Sequence, residues 1–344
     1  MGVDGEMPPL ATTVIGSYSV PDWLERLKTD YYQRRISRAH LEDVHDVVVK
    51  AAIKDQERAG VDVVSDGELR RDNDIDYLLA RIPGVSLLDE TKAYYYDYYD
   101  AEVVEPLPAG DTFALGLVDD FVFSRTQTDH PVKFSFTGPF SLSRRLRNKA
   151  YAEDTELVLA LASVLNAEAR ELAAAGATML QIDEPFLAGH PDEVELAIDA
   201  VNAVVDGVEA TWALHVCYGN RYARPSWEGH YDFLFPTVLR ADVDRLALEF
   251  ARKGYDDLAL LDRYAWDRQL GLGVIDVKSD DIESADLVAS RIRRALEVVS
   301  PDRLSVNPDC GLRHVPPSVA RAKLRAMVAG AAAVRCELGV KETA

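Results

Sequence analysis

Eight short apolar segments rich in β-branched residues occur along the 344-residue chain, and longer segments with a helical pattern separate them. Strands that are apolar throughout are typical of a parallel sheet buried on both faces. Eight strand-then-helix units predict an α/β fold, the (β/α)8 or TIM barrel. The predicted strands are Thr12–Tyr18, Val61–Glu68, Lys133–Pro139, Thr178–Pro185, Thr211–Cys217, Arg245–Phe250, Leu270–Lys278 and Leu304–Cys310, and the clearest helices are Thr155–Ala174, Ala285–Val299 and Pro317–Val334.

The interval between the second and third predicted strands is too long for a plain loop. It covers about Pro83–His130 and contains the sequence Ala-Tyr-Tyr-Tyr-Asp-Tyr-Tyr-Asp. Its alternation and aromatic residues predict a β-hairpin-like insertion. Three roles stay open for it: closing over the barrel mouth, forming a homodimer interface, or only packing on the barrel. No linker rich in proline, glycine and serine divides the chain, so residues 1–344 are expected to form a single catalytic domain.

Charge and composition narrow the functional classes. The formal net charge of −20 argues against nucleic acid or an anionic membrane as a partner. We expect no signal peptide and no membrane span, because no apolar run approaches ~20 residues. The three cysteines, Cys217, Cys310 and Cys336, are too sparse for a disulfide framework, which favours the cytoplasm. Cys336 lies in an alanine-rich helical segment and is expected to be a core residue.

Polar residues collect at the ends of the predicted strands, where barrel enzymes place their active sites. His215 and Cys217 are two residues apart on one strand, so both side chains point into the same space. Glu249 ends the next strand and Cys310 ends the last. Two sulfur, one nitrogen and one oxygen donor suit tetrahedral Zn²⁺, so these four residues are the predicted metal ligands. Glu249 has an alternative role, as a salt-bridge partner beside the ligands.

Eight motifs at these places resemble those of the cobalamin-independent methionine synthase family, and they follow the family's order over nearly the whole chain. They are TTVIGS, SDGELRRD, FTGP, QIDEP, LHVCYGN, LEF, GLGVIDVKS and NPDCGL. The resemblance implies a (β/α)8 methyltransferase that forms methionine from homocysteine. It also implies that the zinc ligands are His215, Cys217, Glu249 and Cys310.

The resemblance further implies which residues bind homocysteine. They are Ile15, Gly16, Ser17, Glu68 and Asp183. Glu68 and Asp183 can pair with the ammonium group of homocysteine, and the turn at 15–17 can donate hydrogen bonds to its carboxylate. The alternative for Glu68 is a salt bridge to Arg70 or Arg71.

A zinc ion would explain how the substrate thiol reacts. A free thiol with a pKa of about 8.5 is only a few per cent thiolate at pH 7, and binding to Zn²⁺ deprotonates it. The difference of ~1.5 units between this pKa and pH 7 corresponds to about 2 kcal/mol. Because four protein ligands fill a tetrahedral ion, an incoming thiol must displace one or expand the shell. The hard oxygen ligand, Glu249, is the one expected to yield.

Two departures from the long members of the family concern the methyl donor. Long members have two barrels, and this chain matches only the catalytic one. In the strand-seven stretch they have a histidine, thought to protonate the folate leaving group, where this chain has Lys278. A lysine with its ordinary pKa of about 10.4 is a poor acid at pH 7. The chain therefore resembles short single-barrel forms, and the expected donor is a corrinoid, a corrinoid protein or another donor rather than folate polyglutamate.

Lys278 and Asp183 are the predicted catalytic residues, with binding of an acidic substrate group as the alternative for Lys278. Two other functions are weighed against methionine formation. The first is zinc-dependent alkyl transfer to another thiol such as coenzyme M, which has no ammonium group for Glu68 and Asp183. The second is a non-catalytic zinc-binding partner of a methyl-transfer system, which the presence of all four candidate ligands disfavours.

Overall fold

The computed structural model describes residues 7–88, 93–108 and 112–340. Strands β3 and β5 to β9, as numbered below, form one parallel sheet in chain order, which is the main part of the barrel wall. Among the described residues the strands are β1 (Val85–Leu87), β2 (Ala101–Val103), β3 (Lys133–Thr137), β4 (Leu146–Asn148), β5 (Met179–Asp183), β6 (Thr211–Val216), β7 (Arg245–Leu248), β8 (Gln269–Ile275) and β9 (Leu304–Pro308). Six of the eight predicted barrel strands are thus present, each ending one to three residues earlier than predicted.

Isolated bridges, rather than two further strands, close the barrel. They pair Thr12 with Val306, Thr13 with Val63, and Val64 with Val132. The predicted strands Thr12–Tyr18 and Val61–Glu68 were therefore too long. The backbone leaves the strand path at Gly67 and Glu68, whose φ angles of 70° and 53° lie in the left-handed region.

Side chains supplement the backbone at the seam between these two first segments. Asp62 accepts hydrogen bonds from both the backbone N–H and the hydroxyl of Thr12, each at 2.7 Å. The hydroxyl of Thr13 donates to the carbonyl of Val63 at 3.0 Å. The backbone itself contributes the bond from Val63 N to Thr12 O at 3.1 Å. The seam is therefore held largely by side chains.

Helices surround the sheet, and the three clearest predicted helices correspond to α6, α9 and α10. Among the described residues the helices are α1 (Asp22–Tyr32), α2 (Arg38–Ala59), α3 (Asp76–Leu79), α4 (Leu117–Arg125), α5 (Pro139–Ser143), α6 (Asp154–Ala174), α7 (Val194–Val205), α8 (Leu258–Arg263), α9 (Ala285–Leu296) and α10 (Pro317–Glu337). Local signals set several ends: the Ser284 side chain caps α9, and Gly60, with φ of 84°, ends α2.

Helix α10 packs against α2 and α9, but Cys336 lies on its exposed side, so the prediction of a core position for Cys336 was wrong. The helical pattern identified the helix, whereas a single alanine-rich stretch did not reveal which face is buried. Within the part of the chain that the structure describes, no helix has the length and apolar character needed to cross a membrane.

The interval Pro83–His130 combines two kinds of structure. Strands β1 and β2 pair antiparallel, and β2 also pairs in parallel with β4. Helix α4 lies in the same interval but packs against α2 and α6, so it belongs to the outer helical layer. The tyrosine-rich segment packs over the barrel mouth, where the Tyr96 ring contacts those of Tyr222 and His314 at centroid distances of 5.7 and 4.9 Å.

Candidate metal and thiol site

The barrel mouth contains a cavity of about 90 Å³, named here the inner pocket. Parallel strands end at one edge of the barrel, so residues far apart in sequence meet there. The lining consists of Ile15, Ser17, Glu68, Asp74, Tyr96, Thr137, Asp183, Pro185, His215, Cys217, Asn220, Cys310, Gly311 and Arg313. Most of the predicted ligand and homocysteine-binding residues therefore line one cavity. Glu249 and Lys278 are not among its lining residues.

Three of the four predicted metal ligands form one cluster. The ligand atoms of His215, Cys217 and Cys310 all lie within 4.8 Å of one another, and the two sulfur atoms are 3.3 Å apart. The orientation of His215 supports a metal site. Its Nδ1 lies 3.2 Å from the carbonyl oxygen of Ala247, while its Nε2 is buried without a hydrogen-bond partner among the described residues.

The two nitrogen atoms of His215 therefore have different roles. A proton on Nδ1 donates to the Ala247 carbonyl, which leaves a lone pair on Nε2 beside the two cysteine sulfurs. A buried acceptor without a partner is destabilising, and a metal ion would satisfy it. One imidazole and two thiolates are the donors that zinc prefers, so the residues fit Zn²⁺.

Glu249, the fourth predicted ligand, is not within the 4.8 Å cluster. It follows β7, is 1% exposed, and pairs with two cations: its Oε1 lies 2.7 Å from Arg252 Nε and its Oε2 lies 2.8 Å from Lys278 Nζ. Oε2 also accepts a hydrogen bond from the backbone of Tyr218 at 3.3 Å. The role of Glu249 as a metal ligand remains a prediction. In this structure Glu249 makes salt bridges beside the cluster, which is the alternative role named for it in the sequence analysis.

Lys278 is buried beside the cysteine pair and Glu249. Burial acts to lower the pKa of its ammonium group, but Cys310, Glu249 and Cys217 together raise it above its ordinary value. Lys278 therefore stays positively charged near neutral pH. It can balance the negative charge of the cluster, but it is not a ready proton donor.

Asp309 is a supporting residue that the sequence reasoning did not identify. Its carboxylate is fully buried and accepts hydrogen bonds from the backbone N–H groups of residues 250–252 at 2.7–2.9 Å. Burial raises its pKa to about 7. These bonds tie the segment that carries Glu249 to the segment that carries Cys310. The sequence signal that could have identified Asp309 is its position directly before the candidate ligand Cys310.

The turn at residues 15–17 presents unused donors to the inner pocket. No described residue accepts a hydrogen bond from the backbone N–H of Gly16 or Ser17. Gly16 is required by close packing, because a Cβ atom there would lie 2.3 Å from Glu68 Oε1. The turn is thus able to bind a carboxylate.

Glu68 and Asp183 provide negative charge in the same pocket. Glu68 is 7% exposed, accepts a hydrogen bond from Ser135 Oγ at 2.8 Å, and lies 3.5 Å from Arg71 Nη1. The salt bridge considered as its alternative role is therefore present for Arg71, alongside its position in the pocket. Burial raises the pKa of Asp183 to about 7, and an ammonium group nearby would favour its ionised form.

A buried pair that the sequence reasoning missed orients Asp183. Lys133 Nζ donates to Gln181 Oε1 at 2.5 Å, and Gln181 Nε2 donates to Ile15 O at 2.9 Å and Asp183 Oδ1 at 2.7 Å. Burial lowers the pKa of Lys133 to about 7. In its protonated form Lys133 can only donate, and that form fixes which end of the amide faces the pocket. The spacing of Gln181 and Asp183, two apart on β5, was the signal that could have shown this.

Comparisons with known proteins agree with this geometry. The family model described as the catalytic domain of cobalamin-independent synthase matches residues 10–333. A methionine synthase of Sulfurisphaera tokodaii is 35% identical over 341 residues, which cover 97% of this chain and 95% of that protein. A methionine synthase of Saccharolobus islandicus is 37% identical over 333 residues, which cover 97% of each chain. The structure of a B12-independent methionine synthase from Shewanella sp. W3-18-1, in complex with selenomethionine, has a TM-score of 0.84 at 29% identity and covers 97% of this chain and 100% of that one.

The fold and these relatives define a methyltransferase built on a (β/α)8 barrel. The chain belongs to the cobalamin-independent methionine synthase family. The resemblance seen in the sequence motifs is thereby confirmed.

Proposed function

We propose that the protein transfers a methyl group to the thiol of homocysteine and so forms methionine, with Zn²⁺ held by His215, Cys217 and Cys310. The observation that carries this proposal is the buried Nε2 of His215, which lies beside the two cysteine sulfurs and has no hydrogen-bond partner in the described part of the chain. When bound, zinc would keep the substrate sulfur as a thiolate at neutral pH.

Residues of the inner pocket would hold the amino-acid end of the substrate. Glu68 and Asp183 pair with its ammonium group, and the free N–H groups of Gly16 and Ser17 bind its carboxylate. Glu68, Asp183 and Ser17 line the cavity that contains the metal cluster, and Gly16 lies between its lining residues Ile15 and Ser17. A substrate held at these two points therefore has its thiol end left to face the cluster. The amino-acid thiol is favoured over coenzyme M because these carboxylates need a cation.

Glu249 is proposed as the metal ligand that yields to the thiol. The salt bridges to Arg252 and Lys278 support this, since they stabilise the carboxylate away from the cluster. X-ray absorption of the zinc-loaded protein tests it, with an oxygen ligand expected to be replaced by sulfur when homocysteine is added. An unchanged ligand set would contradict the exchange.

The methyl donor is proposed to be a corrinoid, free or protein-bound, rather than folate polyglutamate. Lys278 is kept charged by Glu249 and the cysteines, so it is poorly suited to protonate a leaving group. A corrinoid leaves without needing a proton. We also propose that a single barrel carries the whole reaction, because relatives named methionine synthase match this chain over 95–97% of their own length.

One assay tests the function. Zinc-loaded protein is incubated with homocysteine and, separately, with methylcobalamin, methyltetrahydrofolate triglutamate or S-methylmethionine, and methionine is measured. Methionine from methylcobalamin is expected, and no methionine from any of the donors would contradict the proposal. Coenzyme M as the acceptor in a parallel reaction tests the alternative thiol.

Cysteine variants link the activity to the metal. Cys310→Ser is expected to lose zinc and activity together, as measured by metal analysis and methionine formation. Cys336→Ser is the matched control, since Cys336 is exposed on α10, and it should retain both. Activity that survives complete removal of zinc would refute the metal-based mechanism.

A further inference from the structure

A second cavity of about 200 Å³, named here the outer chamber, adjoins the inner pocket. The two cavities share Asp74, Tyr96, Pro185 and Asn220, so they lie side by side. The outer chamber touches none of the three clustered metal ligands. A larger cavity of about 790 Å³ shares no lining residue with the inner pocket, so the outer chamber is the better placed of the two for the second substrate.

Two arginines in the outer chamber stack on one tyrosine ring. The guanidinium groups of Arg145 and Arg221 lie 4.7 and 4.4 Å from the ring centroid of Tyr98. The Tyr98 hydroxyl donates to Asp74 Oδ1 at 2.8 Å, which fixes the ring. Stacking therefore holds two positive charges in the chamber with their N–H groups available.

These two arginines lack the partners that neighbouring arginines have. Among the described residues, the Arg145 guanidinium makes no hydrogen bond or ion pair, and its Nε is buried. Among the described residues, Arg221 lies 4.0 Å from the half-buried Asp97 carboxylate and has a hydrogen bond to the Tyr222 hydroxyl, so it has no close acidic partner. By contrast Arg144 pairs with Glu193 at 3.0 Å and Arg147 pairs with Asp100 at 2.6 Å. Two guanidinium groups without a close acidic partner line the chamber, so an anion placed there could pair with both.

We propose that Arg145 and Arg221 bind an anionic group, a carboxylate or a phosphate, on the methyl donor. This inference rests on the proposed function, because it places the second substrate of the same reaction. Guanidinium groups bind both anions through paired N–H donors. Aromatic side chains of Phe186 and Trp227 also line the chamber and provide surfaces for an unsaturated ring system. Asp74 contributes one carboxylate to the chamber against two guanidinium groups, so donors whose methyl-bearing group is cationic, such as sulfonium compounds, are disfavoured.

Equilibrium dialysis of the zinc-loaded protein tests the site. The probes are methyltetrahydrofolate triglutamate, which carries carboxylates, methylcobalamin, which carries a phosphodiester, methylcobinamide, which lacks it, and trimethylsulfonium, a methyl-bearing cation without a carboxylate. Wild-type protein is expected to bind at least one of the two anionic probes. Arg145→Met and Arg221→Met should each weaken that binding by about tenfold, as loss of a charged hydrogen bond does. The anionic probe that binds identifies the source of the anion.

The control variant is Arg147→Met, which removes an exposed arginine paired with Asp100 and should leave donor binding unchanged. Homocysteine binding measured on the same variants should also be unchanged, which shows that the barrel is intact. Unaltered binding of the anionic probe to both arginine variants would overturn the proposal. Binding of neither anionic probe, or equal binding of trimethylsulfonium, would overturn it as well.

Failure of this inference is distinguishable from failure of the proposed function. Methionine formed by both arginine variants with an unchanged KM for the donor would refute the anion site and leave the reaction intact. If anion binding depends on the two arginines but no methionine is formed, the anion site in the outer chamber would be supported. The proposed methyl transfer to homocysteine would be refuted.

Discussion

The region behind the metal cluster and the outer chamber differ in how their charged groups are paired. Behind the metal cluster, Glu249 is held by Arg252 and Lys278, and Asp309 by three backbone N–H groups. In the outer chamber Arg145 has an aromatic platform but no polar partner among the described residues. The first region is preorganised before any ligand binds, whereas the second keeps charge free for a ligand. Substitutions should therefore act on metal and stability in one region and on donor affinity in the other.

The largest effect is expected from Asp309→Ala. Three buried N–H groups would lose their acceptor, so the free energy of unfolding should fall by about 3 kcal/mol or more. Zinc affinity should fall about 10–100-fold, because the segments carrying Glu249 and Cys310 are no longer joined. Thermal unfolding and chelator competition measure the two effects. Asp302→Ala, at an exposed site before β9, is the control. A variant with wild-type zinc affinity would show that Asp309 does not organise the site.

Lys278→Met should lower kcat by about tenfold to a hundredfold while zinc remains bound. The substitution removes the cation that balances Glu249 and the cysteine pair, so charge compensation at the reacting sulfur is lost. The KM for homocysteine should change little, since Lys278 does not line the inner pocket. Steady-state kinetics with metal analysis measure this, and Lys149→Met at an exposed site is the control. Loss of zinc in parallel with kcat would assign Lys278 a purely structural role.

Lys133→Met should weaken homocysteine binding by about tenfold, because Gln181 is then free to turn its amide away from Ile15 and Asp183. Calorimetry with 4-mercaptobutanoate, which is homocysteine without its ammonium group, separates this effect from general damage. Its affinity should be the same for variant and wild type. Equal losses for both ligands would mean that Lys133 supports the fold and not ammonium recognition.

The smallest effect is expected from Tyr98→Phe in the outer chamber. It removes the 2.8 Å hydrogen bond to Asp74 but keeps the ring on which both arginines stack. Donor affinity in the dialysis experiment should change by less than about fivefold. Tyr98→Leu removes the ring, and its effect should approach that of an arginine substitution. If the two variants behaved alike, the ring would not be what positions the arginines.

The sequence predicted those features that depend on a single segment. Six barrel strands follow from continuous apolar runs, and the shared direction of His215 and Cys217 follows from their spacing on β6. Cys310 could be added because every parallel strand ends at the same edge. The two segments that became bridges were predicted as full strands, since the left-handed backbone at Gly67 and Glu68 is not visible in hydropathy.

Features that depend on contacts between segments were not predictable. The sequence offers Gln181 two residues before Asp183, and Asp309 directly before Cys310, as residues of interest. It does not identify their partners: Lys133 on β3 for Gln181, and the backbone N–H groups of residues 250–252 for Asp309. In the sequence, Arg145 cannot be distinguished from its neighbours Arg144 and Arg147. The structure shows that Arg145 is the one of the three without an acidic partner among the described residues.

The seam between the first two barrel segments gives the molecule a local sensitivity to mutation. Most barrel neighbours are joined by backbone ladders that form with almost any side chain, but here Thr12, Thr13 and Asp62 supply most of the bonds. Ser17 and Glu68, on either side of the inner pocket, follow directly from these two segments. Substitutions in the seam would therefore change the spacing of the proposed substrate-binding groups before they unfolded the barrel. Thiol affinity would then change without a substitution at any residue proposed to touch the substrate.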